Sequence, residues 1–359
     1  MFIQYLGWNA YFQALWNEEE RSGCVAARVV AQHRGRWRVA GEFGESWAEA
    51  SGRLRHESEN GGDWPAVGDW VAAEICGEST SAIIQQVLPR KSKFSRKQAG
   101  KRIAEQVLAA NIDLAIIVAA LDDEFNVRRI ERYVAQCWES GARPVLVLNK
   151  ADACATPCEH VEEIRGLAIG APPFVLSART GDGMPAFETS LVKGQTIVFL
   201  GSSGVGKSTL VNWLLHEEKQ STRAVRTTDS RGRHTTTARE LFVLPGGGMV
   251  IDTPGLRELQ LWDAGEGVSQ AFADIEELAA QCRFRDCTHT SEPGCAVRSA
   301  LDEGTLDAQR LESQRKLERE QEFLLRKMDP ERQHEYKKRI RILFKAIRQN
   351  TQSRNKGKN

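Results

Sequence analysis

Gly201, Ser202, Ser203, Gly204, Val205, Gly206, Lys207 and Ser208 follow the pattern G-x-x-x-x-G-K-S. The run comes after the apolar stretch Thr196–Leu200 and opens a segment of helical character, Lys207–Leu215, with Thr209 in its first turn. That strand–loop–helix context is what a phosphate-binding loop needs. Glycines let backbone N–H groups turn inward around an anion, and the helix N-terminus adds the positive end of its dipole. Lys207 would then reach the outer phosphates, and the Ser208 hydroxyl would ligate Mg²⁺.

A second group could select a base. Asn149, Lys150, Ala151 and Asp152 end the apolar run Pro144–Leu148. Guanine offers two adjacent donors, its N1–H and its 2-amino group, and one carboxylate can accept both. Asp152 is given that task, because adenine would leave it unpaired in a desolvated pocket. Asn149 can tie neighbouring loops together, and the aliphatic stem of Lys150 can cover the base. Ser177 and Ala178, after Pro173–Leu176, can offer N–H groups to the guanine oxygen. Asp252, Thr253, Pro254 and Gly255 end the run Met249–Ile251. Here Asp252 would support the Mg²⁺ shell and Gly255 would sense the terminal phosphate. Upstream of Asp252, between the helix and the next strand, lies the loop Arg231–Thr237, a candidate switch in which Thr235 or Thr236 would complete the Mg²⁺ shell.

A third group is a metal set. Cys282, Cys287, His289 and Cys295 place three thiols and an imidazole within 14 residues. Tetrahedral Zn²⁺ favours such donors. Cys154 and Cys158 lack a second ligand pair and read as incidental.

The elements that must position these groups fall into three parts. Residues 1–98 hold six of nine tryptophans and short β-like runs (Cys24–Val30, Arg36–Val39, Asp69–Ile75, Ala82–Val87) split by glycines. They read as a small antiparallel barrel, either of OB or of SH3 type. The tryptophans are expected mostly in its core, with one or two free to stack on bases. Residues 99–262 alternate strand and helix. Ile112–Leu121 is a continuous apolar run suited to a buried parallel strand, and Asn126 and Gly141 bracket a helix. Leu241–Leu244 and Met249–Ile251 flank a glycine turn and predict a hairpin. Residues 263–359 read as helical around the metal set, ending in a basic tail.

In chain order, the base-selecting group precedes the phosphate loop by about fifty residues, the reverse of ordinary small GTPases. A parallel sheet can keep its packing when the chain ends move to another loop, so the order points to a circular permutation. Asn149–Asp152, Gly201–Thr209, Gly232–Thr237, Asp252–Gly255 and the Cys/His set, behind a β-rich block, together resemble the ribosome small-subunit-dependent GTPase A (RsgA) family. The resemblance implies an OB-like barrel, a circularly permuted GTPase domain and a helical zinc domain. It implies GTP hydrolysis stimulated by the small ribosomal subunit, binding to that subunit's 16S rRNA, and a role in its late maturation. Leu256 stands where many GTPases carry a water-orienting Gln, so intrinsic hydrolysis is expected to be slow. The resemblance assigns the catalytic role to His234.

Composition fits this and excludes other classes. The chain has 359 residues, 41% of them hydrophobic, with a formal net charge of +1. No run is long and apolar enough for a membrane span. Eight cysteines without a disulfide pattern suit a reducing cytoplasm. The near-neutral total conceals blocks: residues 79–104 carry seven basic and no acidic side chains, and 331–359 carry ten and two. Both are candidate phosphate-contacting segments. In the second, Ile340, Leu343, Phe344 and Ile347 lie opposite Lys337, Arg341, Lys345 and Arg348 on a helical pattern. A monomer is expected. Two readings from other classes remain open on the residues alone. One is an RNA-binding assembly clamp or chaperone in which GTP only gates binding. The other is a metabolic kinase or ATPase, against which Asp152 argues.

Overall fold

The computed structural model describes residues 2–19, 21–33, 35–58, 64–77, 81–97, 105–167, 170–216, 239–252 and 266–328. Outside these lie the switch loop with His234, Thr235 and Thr236, then Gly255 and Leu256, and the basic residues Lys101, Arg102 and 331–359.

Two short helices, α1 (Phe2–Tyr5) and α2 (Ala10–Glu18), precede the barrel. The barrel strands are β1 (Val25–His33), β2 (Arg36–Gly41), β3 (Gly44–Ala50), β4 (Trp70–Cys76) and β5 (Ser81–Val87), with α3 (Gly52–Glu57) after β3. Pairings run β1–β2–β3–β5–β4 and close through β4–β1, with β3–β5 parallel. This is the OB-type order, which resolves the choice left open by the strand pattern. Trp37, Val39, Ala48, Val71 and Ile84 fill the interior. Trp37 and Trp70 are buried, while Trp47 is 44% exposed with its edge against His33. The N-terminal helices pack onto this unit through Phe12, and Trp8 meets Trp70 edge-on at 4.7 Å.

The basic segment after the barrel is more structural than its composition predicts. β6 (Lys93–Lys97) pairs with β7 (Glu105–Ala110), and Phe94 is buried. Arg90 forks onto the buried Asp69 carboxylate at 2.8 Å, Lys91 reaches Asp113 at 2.8 Å, and Lys93 reaches Glu105 at 2.9 Å. These three cations neutralise the protein's own carboxylates.

Next come β8 (Leu114–Ala120), α4 (Val127–Ser140), β9 (Arg143–Asn149), α5 (Pro157–Glu163), β10 (Phe174–Val175), α6 (Met184–Thr189), β11 (Thr196–Leu200), α7 (Lys207–Leu215), β12 (Arg239–Val243) and β13 (Met249–Asp252). Asn126 caps α4 by accepting the Arg129 N–H, and Gly141 ends it in a left-handed conformation, as the sequence predicts. Strands β10, β9, β8, β11 and β13 lie parallel in that order, so their C-terminal ends share one edge of the sheet. β12 then pairs antiparallel with β13 on one side and with barrel strand β1 on the other. Barrel and parallel sheet are thus one continuous sheet.

Arg28 bolts the junction. It is 1% exposed and donates to Thr196 Oγ1 at 2.7 Å, to the Gly68 carbonyl at 3.2 Å and to the Leu6 carbonyl, with its plane against Trp70. Burial pushes its guanidinium down to about 10, with Asp113 and Asp69 partly opposing. It is therefore still charged at neutral pH.

Beyond β13 stand α8 (Glu266–Ala271), α9 (Ala273–Ala279), α10 (Ala296–Asp302) and α11 (Ala308–Met328). A Cβ on Gly267 would lie 2.5 Å from the Ala135 carbonyl oxygen, so α8 seats directly on α4. Buried Arg310 then links α9 and α4, donating to Asp274 at 2.6 Å and to Glu131 at 2.9 Å.

Replacing Arg28 with Met would leave the Gly68 and Leu6 carbonyls and the Thr196 hydroxyl unpaired in the interior. Urea unfolding of Arg28→Met should show a loss of about 3 kcal/mol. A change below about 0.5 kcal/mol, the range of ordinary surface substitutions, would contradict the bolt.

Candidate nucleotide and metal sites

Four of the proposed nucleotide-contacting segments sit, among the described residues, at the same sheet edge, where ligands of open parallel sheets bind. Gly201 follows β11, Asn149 ends β9, Ser177 follows β10 and Asp252 ends β13. The buried runs of β8 and β11 fix these ends, since all five β11 residues are buried and so are six of the seven in β8.

Asn149 is 3% exposed and makes two bonds that span the site. Its Nδ2 donates to the Val205 carbonyl at 2.8 Å, and its Oδ1 accepts the Ala178 N–H at 2.9 Å. The phosphate loop and the Ser177–Ala178 turn are therefore pinned to one side chain. Gly206 is required beside it. Its φ is +98°, and a Cβ there would lie 2.2 Å from Asn149 Nδ2. Gly201, with φ +138°, would bring a Cβ within 2.3 Å of the Val118 carbonyl oxygen.

Lys207 Nζ donates to the Gly201 and Ser202 carbonyls at 2.7 and 2.5 Å. An ammonium has three donors. The lysine thus braces the loop across its mouth. Ser203 and Gly204 form the exposed tip, Val205 is buried beneath, and Ser208 and Thr209 are half-buried in the first turn of α7.

Asp152 Oδ1 accepts the Ser177 hydroxyl at 2.6 Å, and Oδ2 pairs with Arg179 at 2.6 Å. The Ser177 bond, with help from Arg179, outweighs desolvation and holds this carboxyl below its usual range. It is an ionised acceptor at neutral pH. Lys150 has φ +66° and extends to Asp122 at 2.8 Å.

Two contacts here were not legible in the sequence. Asp122 follows β8 with only its strand-end position to mark it. Arg129, on α4, donates to the Ser202 hydroxyl at 2.6 Å, beside a cleft also lined by Asp122, Asn126 and Tyr133. Asp252 is half-buried and pairs in register with Glu240. Gly255, His234, Thr235 and Thr236 lie outside the described residues.

The cysteine–histidine set does converge. The donor atoms of Cys282, Cys287, His289 and Cys295 all lie within 4.8 Å of one another. Cys282 Sγ is 3.8 Å from Cys295 Sγ and 3.6 Å from His289 Nδ1, which is 3.4 Å from Cys295 Sγ. A tetrahedral Zn²⁺ with bonds of about 2.3 Å to sulfur and about 2.0 Å to nitrogen has edges of about 3.5–3.8 Å. The separations among Cys282, His289 and Cys295 therefore fit zinc, with Cys287 within 4.8 Å of all three. Desolvation raises the Cys282 thiol, but the Val297 and Ala296 N–H groups and neighbouring thiols outweigh it and bring it below its ordinary value. Desolvation and the other sulfurs push Cys287 up to about 11. A bound cation would relieve that conflict by drawing off the protons.

Comparison with known proteins agrees with this architecture. Residues 87–262 match the family model described as RsgA GTPase. A model described as 50S ribosome-binding GTPase matches 196–349, a span that starts at β11 and so omits Asn149–Asp152. The Small ribosomal subunit biogenesis GTPase RsgA of Opitutus terrae is 46% identical over 339 residues, covering 92% of each chain. Its namesake from Syntrophotalea carbinolica is 46% identical over 321 residues, covering 87% of this chain and 88% of that one. Among solved structures, YjeQ from Thermotoga maritima superposes with a TM-score of 0.62 at 27% identity, over 83% of this chain and 98% of that one. YloQ, described as a circularly permuted GTPase, shares the fold with a TM-score of 0.60 at 21% identity, over 84% and 96%. With near-complete coverage by relatives at this identity, and with the strand ending at Asn149 ahead of the phosphate loop in one parallel sheet, the chain belongs to the RsgA GTPase family.

Proposed function

We propose that this GTPase binds the small ribosomal subunit through its 16S rRNA, assists late maturation of that subunit, and leaves on hydrolysis of GTP. The observation that carries the nucleotide half is the Asn149 bridge between the phosphate loop and the Ser177–Ala178 turn. The ribosomal half is supported by the names of relatives matched over nearly the whole chain.

The roles follow from the chemistry of each group. Backbone N–H groups of Gly201–Gly206 and the start of α7 hold the phosphates, and Lys207 neutralises them. Asp152 accepts the two guanine donors once Arg179 swings aside. Ala178 faces the guanine oxygen, and Lys150 and Ala151 flank the base. Ser208, with Thr235 or Thr236 and support from Asp252, would hold Mg²⁺, whose chemistry when bound would be to screen phosphate charge. Gly255 senses that group. His234 orients the attacking water, a role Leu256 cannot take. Cys282, Cys287, His289 and Cys295 hold one structural Zn²⁺ that ties the loops between α9 and α10 together.

We further propose a division into residues 1–98, 99–262 and 263–359, a monomeric state and a cytoplasmic location. Among the described residues no helix is long and apolar enough to cross a membrane.

GTP turnover measured with and without purified small subunits tests the main reading. The subunit should raise the rate about a hundredfold or more, in the range of other stimulated GTPases, and His234→Ala should lose that gain. No stimulation would overturn the proposal, and normal release with a non-hydrolysable analogue would favour the clamp reading. Stimulated turnover retained by His234→Ala would remove the catalytic assignment alone.

Asp152→Asn removes two charge-assisted acceptors, worth together about 3 kcal/mol. Titration with a fluorescent GDP should show affinity falling about a hundredfold. Unchanged affinity would mean that the base is read elsewhere.

A further inference from the structure

The turn that carries the histidine of the metal set is held from two sides by opposite charges. Glu292 Oε1 accepts the Thr288 N–H at 2.9 Å and the Thr288 hydroxyl at 2.5 Å. Its Oε2 accepts the N–H groups of Thr290 at 2.9 Å and Ser291 at 3.0 Å, and the Thr290 hydroxyl at 3.4 Å. Across the same turn, the Thr288 and His289 carbonyls accept Arg315 Nη2, from α11, at 2.9 and 3.1 Å. One carboxylate thus gathers the N–H groups and one guanidinium gathers the carbonyls.

His289 stands in the middle of this frame with φ +57°. A left-handed conformation costs a non-glycine residue about 1 kcal/mol or more. It persists where its surroundings over-determine it. Here the neighbours on both sides, Thr288 and Thr290, are bound to one carboxylate. The conformation brings His289 Nδ1 to 3.4 Å and 3.6 Å from the Cys295 and Cys282 sulfurs. Released from the frame, the residue would relax to a commoner backbone region and the imidazole would leave the sulfurs.

We propose that Glu292 is the positioning residue of the metal centre, setting the backbone at His289 so that the imidazole meets three thiolates, and that Arg315 fastens this frame to α11. Neither residue ligates the metal. The inference rests on reading Cys282, Cys287, His289 and Cys295 as a metal centre, and its test separates the two ideas.

Full-length protein, stripped of metal under reducing conditions, is titrated with Co²⁺ to read the visible spectrum of a tetrahedral thiolate site. Zn²⁺ affinity is then measured against a chromophoric chelator. Wild type should bind one equivalent. Glu292→Ala and Glu292→Gln should bind Zn²⁺ about ten- to hundredfold more weakly, as for other outer-sphere partners of metal ligands. Their Co²⁺ spectra should shift, while GDP affinity stays at the wild-type value. A role confined to general stability would lower the unfolding midpoint without altering the Co²⁺ spectrum, and that result would overturn the proposal. So would wild-type affinity in both variants. Gln keeps the size of the side chain, so Glu292→Gln decides if Glu292→Ala is insoluble. Failure of the wild type to bind Zn²⁺ or Co²⁺ would instead overturn the metal-centre reading itself.

Discussion

The nucleotide site depends on one buried amide. Asn149 holds the Val205 carbonyl with its nitrogen and the Ala178 N–H with its oxygen. In the permuted chain order, the proposed base-selecting half of the site comes before the phosphate loop, and no short loop joins them. The amide supplies the connection that chain order does not. It also dictates Gly206, since a side chain there would occupy the position of Asn149 Nδ2. Burial makes the arrangement exacting, because each bonded partner would be left unpaired in the interior if the amide were absent. Lys207 and Asp152 can be effective only if the loops they belong to keep this spacing.

Among the described residues, the elements around the site are joined to their neighbours by specific pairings and ion pairs. β12 emerges from the switch segment and lies between β13, which ends at Asp252, and barrel strand β1. Glu240 on β12 pairs with Arg38 on β2, and Arg239 donates to Gln32 on β1 at 2.9 Å. The start of β12 is therefore fastened to the barrel. On the other side, α4 touches the phosphate loop through Arg129, α11 through Glu131 and Arg132, and Asp307 just before α11 through Arg128. Such packed elements move as units rather than deforming continuously. Static contacts thus join the phosphate loop through α4 to α11, and β13 through β12 to the barrel.

Much of this was legible in the sequence because the chemistry sits at strand ends. Leu114–Leu121, Pro144–Leu148 and Ile197–Leu200 are uninterrupted apolar runs, and the residue types just after them are specific. Other parts were not. β3 (Gly44–Ala50) alternates exposed Glu45, Trp47 and Glu49 with small residues, so its apolar signal is faint. The first twenty residues show their purpose only when Phe12 and Trp8 meet Trp70. The charge pattern alone puts Arg90 and Lys91 on a phosphate-contacting surface, because Asp69 and Asp113 lie outside the basic block. Long-range ion pairs leave no local pattern. Glu292 escaped for a related reason. A carboxylate that bonds to backbone N–H groups near a metal ligand looks the same in sequence as any loop glutamate.

The most direct test of this account is the GDP affinity of Asn149→Ala, by equilibrium titration, with circular dichroism confirming the fold. Two lost bonds and two stranded partners together cost about 3 kcal/mol, so affinity should fall about a hundredfold. Affinity within about threefold of wild type, less than 1 kcal/mol, in a folded variant would contradict the claim that this amide holds the two halves of the site together.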